Sequence, residues 1–135
     1  MKPTRSCEVT IDGASRGNPG PSGIGVVFAE PVNRRLSKYL GETTNNVAEY
    51  LALIYALQEA LREGLTAVSV KTDSELLARQ MSGAYRVRDP QLRLLHDLAA
   101  HLAQGFQACR ITHIPREQNT AADRLAGDAI TKRVL

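Results

Sequence analysis

The stretch CEVTIDGASRGNPG, residues 7–20, decides how the chain is read. Cys7, Val9 and Ile11 alternate with Glu8, Thr10 and Asp12, the period of two of a half-buried strand. From Gly13 to Gly20 the alternation gives way to glycine, asparagine and proline, so a strand ending at Asp12 in a tight loop is expected. Outward from there, Gly23–Ala29 and Arg34–Gly41 read as two further strands joined by a turn at Pro31 and Asn33, an antiparallel meander. From Asn46 to about Arg62, Val47, Tyr50, Leu51, Ile54, Leu57 and Leu61 recur at spacings of three and four, one amphipathic helix stopped by Gly64. Ala67–Asp73 gives a fourth strand and Ser74–Met81 a short helix. Pro90–Gln104 is a helix with Leu92, Leu95, Ala99 and Leu102 inward. Cys109–Ile114 supplies a fifth strand, Pro115–Asn119 a loop and Thr120–Lys132 a last helix. The fold class is therefore α/β: a five-stranded mixed sheet, its first three strands antiparallel, flanked by helices.

A chain of 135 residues with 43% hydrophobic content can bury one core unaided, so a single domain over residues 1–135 is expected. With 23% charged residues and no low-complexity segment, a disordered or fibrous chain is excluded. The longest apolar run, Leu51–Leu57, falls far short of the roughly 18 residues of a membrane span. The first residues lead into no hydrophobic signal region, so a cytoplasmic protein without a membrane partner is expected. Cys7 and Cys109 lie in apparent strands outside any C-x-x-C spacing and read as buried free thiols. A net charge of +3 is compatible with a polyanionic partner but selects none. No long apolar face is left uncovered by this packing, and a monomer without an obligate protein partner is expected.

Asp12 and Asp73 each close a strand on its polar face. If those strands are parallel neighbours, the two carboxylates converge at their carboxyl ends, where binding sites of such sheets lie. Two nearby carboxylates repel unless a cation neutralises them. Glu49 and Asp123 fall in the first turns of the long and the last helix, three residues after the capping candidates Asn46 and Thr120. Each acid also has a local explanation: first-turn acids suit a helix dipole, Asp73 could cap the next helix, and Asp12 could open the glycine turn.

The conjunction of the four is more specific than any one. The segment from Thr10 through Asp12, Gly17 and Gly20 to Gly23 closely resembles the opening motif of type 1 ribonucleases H. Thr43-Thr44-Asn45-Asn46-Val47-Ala48-Glu49 resembles their second motif, Lys71-Thr72-Asp73-Ser74 the third, and Asn119 through Asp123 to Ala126 the fourth, in the family's order and over nearly the whole chain. The resemblance implies the ribonuclease H fold and a catalytic, metal-binding quartet of Asp12, Glu49, Asp73 and Asp123. It implies two Mg²⁺ ions, with Mn²⁺ as substitute, and hydrolysis of the RNA strand of an RNA/DNA hybrid to 5′-phosphate and 3′-hydroxyl ends. Hard divalent ions prefer oxygen ligands, and four carboxylates suit two of them. Two alternatives are a catalytically silent hybrid-binding module and a DNA-directed nuclease of the same superfamily. Retention of all four acids speaks against the first, and the Thr44-Asn45-Asn46 and Gly17-Asn18-Pro19 signatures against the second.

Short polar side chains and glycine-loop amides suit the 2′-hydroxyls of a hybrid's wide minor groove, and Asn18, Thr44, Asn45 and Asn46 are such residues. The resemblance implies that Asn18 and Thr44 meet the DNA strand's phosphate and that groups near Asn45, Asn46 and Glu49 meet RNA hydroxyls, with Gly13 and Ser74 as further expected contacts; the alternative is that they only shape turns and caps. Many members of the family carry a histidine in a loop before the fourth motif. That loop is short here: His113 falls in the fifth strand and reads as structural, and Arg116 is the candidate substitute. Some relatives insert a basic helix and loop where this chain has only residues 82–89, with Tyr85, Arg86 and Arg88 as a smaller contact, so weaker hybrid binding is expected.

Overall fold

The structure, a computed structural model, describes residues 4–133. Strands β1 (Ser6–Ser15), β2 (Gly20–Phe28), β3 (Arg35–Thr43), β4 (Ala67–Thr72) and β5 (Ala108–His113) form one sheet in the order β3-β2-β1-β4-β5. β1, β2 and β3 are antiparallel neighbours, whereas β4 runs parallel to both β1 and β5. Helices α1 (Asn45–Arg62), α2 (Glu75–Met81), α3 (Pro90–Ala103) and α4 (Thr120–Lys132) complete the described chain, with a single 3-10 turn at Arg116–Gln118. The expected element order and mixed sheet hold.

Alternation puts Val9 and Ile11 of β1, Ile24, Val26 and Phe28 of β2, and Val68 and Val70 of β4 into one core with Tyr50, Leu53 and Leu57 of α1. Register shows that the two faces of the sheet carry different helices. Gly13 pairs with Ile24 and its missing Cβ points at Ala48 of α1; Asp12 pairs with Gly25, whose missing Cβ points at Ala122 of α4. On the α4 side the approach is very close, because Gly25 and Gly23 face the buried Ala122, Ala126 and Ala129. Cys7 is buried and Cys109 half-buried, both as free thiols.

Several boundaries differ from the sequence reading. β1 does not stop at Asp12 but pairs with β2 as far as Ser15, and β2 begins at Gly20 rather than Gly23. The glycine-rich signal there marks close approach of helices as much as a turn. α1 is capped by Thr44, whose hydroxyl accepts from the Val47 N–H, so Glu49 lies beyond the first turn and Asn46 is not the cap. At the start of α4 the N-cap position is held by Asn119 rather than Thr120, without a side-chain capping bond. β4 ends at Thr72, leaving Asp73 just beyond it, and β5 starts and ends one residue earlier than expected. Leu94 and Leu98 of α3 stay exposed one turn apart, a small apolar pair of a kind ordinary on protein surfaces.

A Cβ at Gly25 would stand 2.1 Å from the Ala122 carbonyl oxygen. Gly25→Ala is therefore expected to push α4 outward and to destabilise by about 1–3 kcal/mol, read as a lowered melting temperature in thermal unfolding. An unchanged melting temperature would contradict the close packing of α4 on β2.

Candidate metal centre

β1 and β4 run side by side until the register pair Ile11 and Thr72, and the next residue of each is an aspartate. Beyond that point β4 ends, and the chain turns into α2, capped by the Ser74 hydroxyl accepting from the Leu77 N–H at 3.1 Å. β1 continues alone along β2. Parallel neighbours thus deliver Asp12 and Asp73 to one place, as expected.

Glu49 arrives from α1 because Gly13 lets the helix in. A Cβ there would lie 2.3 Å from the Ala48 carbonyl carbon, and the Gly13 N–H donates to Glu49 Oε1 at 2.7 Å. As a result, carboxylate oxygens of Asp12, Glu49 and Asp73 all lie within 4.8 Å of one another. Asp123, in the first turn of α4, stands outside that tight group but lines the same open cavity of about 280 Å³, with Gly13, Ala14, Ser15, Asn45 and Arg116.

Asp12 is 5% exposed and Glu49 6%. Burial raises the Asp12 pKa well above the carboxylate range, and the charges of Glu49 and Asp73 and the neighbouring Asp123 add to the rise. Burial likewise pushes Glu49 up to about 8, although the Gly13 N–H and the nearby Arg116 draw it back, and Asp73 and Asp123 oppose them. Among the described residues none of the four acids takes part in a salt bridge. Crowded, buried, all-oxygen donors short of positive charge are the set a hard divalent cation prefers, so the residues fit such an ion.

The other expected site residues fall into three groups: those that line the cavity, those that cap or brace α1 and α2, and Asn46 and His113, which do neither. Gly13 and Asn45 line the cavity, and so does Arg116. Thr44 and Ser74 cap α1 and α2 through their hydroxyl oxygens, and Asn18 Oδ1 accepts the Asn45 N–H at 3.0 Å, bracing the glycine loop against α1. Asn46 is exposed and outside the cavity wall. His113 closes β5 opposite Thr72, exposed and away from the lining. Sequence reasoning missed Ala14 and Ser15, which it placed in a loop, and counted Asn119 within the fourth motif without giving it a role of its own. In the link between α2 and α3, Tyr85 is exposed beneath the Arg79 guanidinium, 5.4 Å from the ring centre.

Residues 10–129 match the family model described as reverse transcriptase-like. A bifunctional protein of Mycobacterium tuberculosis is 43% identical over 126 residues; the match takes in 90% of this chain but spans only about a third, 35%, of that relative. The ribonuclease H1 of Halobacterium salinarum has a solved structure that superposes with a TM-score of 0.91 at 39% identity, covering 95% of this chain and 99% of that one. LC11-RNase H1, solved in complex with an RNA/DNA hybrid, gives a TM-score of 0.88 at 44% identity over 94% of this chain and 98% of its own.

The raised carboxyls make the metal-free protein sensitive to pH. Their folded pKa values exceed the unfolded values near 4, so the folded state holds more protons in between, and stability is expected to fall as pH rises from about 5 to about 8. Asp12→Asn removes one repelling charge while keeping shape. It should raise the melting temperature in chelator by a few degrees at pH 8 and hardly at all at pH 5. Added Mg²⁺ should stabilise the unsubstituted protein most at the higher pH. Thermal melts across pH check this, and a loss of stability in Asp12→Asn at pH 8 would contradict it.

Proposed function

The chain belongs to the reverse transcriptase-like family, among its ribonucleases H, and we propose that it is an endoribonuclease that cuts the RNA strand of RNA/DNA hybrids, leaving 5′-phosphate and 3′-hydroxyl ends. The observation that carries this reading is the convergence of Asp12, Glu49 and Asp73 within 4.8 Å at the open end of the sheet. The match of residues 10–129 in one piece supports a single domain. Two free thiols suit a reducing compartment and support the cytoplasm as its place of action.

Asp12, Glu49, Asp73 and Asp123 would hold two divalent ions, Mg²⁺ with Mn²⁺ as substitute. The chemistry supplied there is activation of an attacking water and stabilisation of the departing 3′ oxygen. Asp12 is central, since the other three acids all act on its carboxyl, and its proton must leave before a cation is held. The Gly13 N–H fixes one orientation of the Glu49 carboxylate, so that ligand needs no reorganisation when substrate arrives. Arg116, beside Glu49 in the cavity wall, presents a guanidinium to the scissile phosphate and is the auxiliary residue we favour over His113. Gly13, Asn18, Thr44, Asn45, Asn46 and Ser74 are assigned to the backbone and sugar hydroxyls of the hybrid. In capping their helices Thr44 and Ser74 use only lone pairs, which leaves each O–H free to donate.

The test is cleavage of an end-labelled RNA/DNA hybrid, beside RNA duplex, DNA duplex and single strands, with Mg²⁺ or chelator. Metal-dependent cutting confined to the hybrid's RNA, and abolished in Asp12→Asn, is expected. Hybrid binding without cleavage would replace this reading with a silent binding module, and cleavage of DNA with a DNA-directed nuclease.

A further inference from the structure

Asn119 is 1% exposed, and its side chain reaches 108 residues back along the sequence to donate from Nδ2 to the Ile11 carbonyl at 2.8 Å. Ile11 is the last residue of the β1 ladder with β4 and the residue before Asp12. Through its own carbonyl the same asparagine accepts the N–H of Asp123 at 3.1 Å, the first helical bond of α4. One residue therefore ties the strand that presents Asp12 to the helix turn that presents Asp123. Although it stands at the N-cap, its side chain makes no capping bond, and among the described residues its Oδ1 has no hydrogen-bond partner. A buried acceptor left unpaired costs stability. A residue selected only to start α4 would spend its oxygen on the cap; this one is turned to Ile11 instead.

We propose that Asn119 is a positioning residue that fixes Asp123 relative to Asp12 and so sets the affinity of the centre for divalent cations. The inference rests on the assignment of the four acids made above. An amide is required there because Ile11 offers an acceptor, so the bond needs an N–H, and the short asparagine side chain spans the gap from helix start to strand. The 3-10 turn before it delivers the residue, its own N–H bonding the Arg116 carbonyl at 2.9 Å. Arg116, which lines the cavity, is thereby held in the same unit as Asp123.

The test compares the unsubstituted protein with Asn119→Ala by calorimetric titration with Mn²⁺ alone, and by kcat and KM on the hybrid at a temperature where circular dichroism shows both folded. Mn²⁺ affinity or kcat is expected to fall roughly 10- to 100-fold, with KM unchanged. In an Asp123→Asn background, Asn119→Ala should cost little more, since the group it positions is already altered. A titration and kcat matching the unsubstituted protein, with only the melting temperature lowered, would overturn the proposal, as would losses that multiply in the double variant. Asn119→Ser carries the same comparison if the alanine variant does not fold, and failure of both to fold would make Asn119 a stability element and end the proposal. The titration uses no nucleic acid. A difference in Mn²⁺ affinity alongside an unsubstituted protein that cuts no hybrid would therefore sink the functional reading alone.

Discussion

At Gly13 the backbone of α1 passes so close to β1 that a Cβ would stand 2.4 Å from the Glu49 nitrogen. Everything at the acidic centre follows from that approach. It lets a main-chain N–H reach Glu49 Oε1, which orients a buried carboxylate that otherwise has Asp73 and Asp123 against it and only Arg116 to offset them. A helix held off by even one methyl group would carry Glu49 away from Asp12, and the cluster would lose the member that comes from outside the two parallel strands. The closeness is affordable locally because Ala48 is itself small and fully buried, so the helix face meeting the strand carries no bulk.

The opposite face repeats the device with different residues. Gly23 and Gly25 of β2 meet Ala122, Ala126 and Ala129 of α4, and Ser37 of β3 adds a hydrogen bond to the Leu125 carbonyl at 2.7 Å. Arg16 of the glycine loop reaches Thr131 at 2.7 Å, so the helix is held along its length and not only at its start. Both helices that bring acids to the centre are thus seated by small residues. Bringing buried carboxylates together is unfavourable without a cation, and tight seating prevents the helices from relaxing that repulsion by drawing back.

Much of this was legible in the sequence, for identifiable reasons. Alternation fixed the strands because Val9 and Ile11 must face a core while Asp12 must not, and the three-four spacing in α1 is long enough to admit no other period. The convergence of Asp12 and Asp73 followed once β1 and β4 were taken as parallel neighbours. Less visible was what glycine means: Gly13 looked like the start of a turn, since a missing side chain reads identically whether it frees a dihedral or makes room for a helix. Caps were misplaced for a related reason. In Thr43-Thr44-Asn45-Asn46 every residue is a competent cap, and the choice of Thr44 depends on where β3 lets go of the sheet. Asn119 was invisible as a link because its partner is a carbonyl 108 residues away, and backbone acceptors leave no mark in sequence.

Strand length explains why the centre lies where it does. Glu49 belongs to the helix on one face of the sheet and Asp123 to the helix on the other, and an intact sheet would keep them apart. β1 and β2 stay paired out to Ser15, but β4 stops at the level of Ile11, so beside Asp12 to Ser15 the sheet has a notch with no strand in it. Through that notch the acids of the two faces act on one another, and Asp12, at its inner corner, is affected by all of them. Extending β4 by two residues would fill the notch with backbone and separate Glu49 from Asp123. The early end of β4, enforced by the Ser74 cap that starts α2, is therefore as much a part of the centre as the carboxylates it brings together.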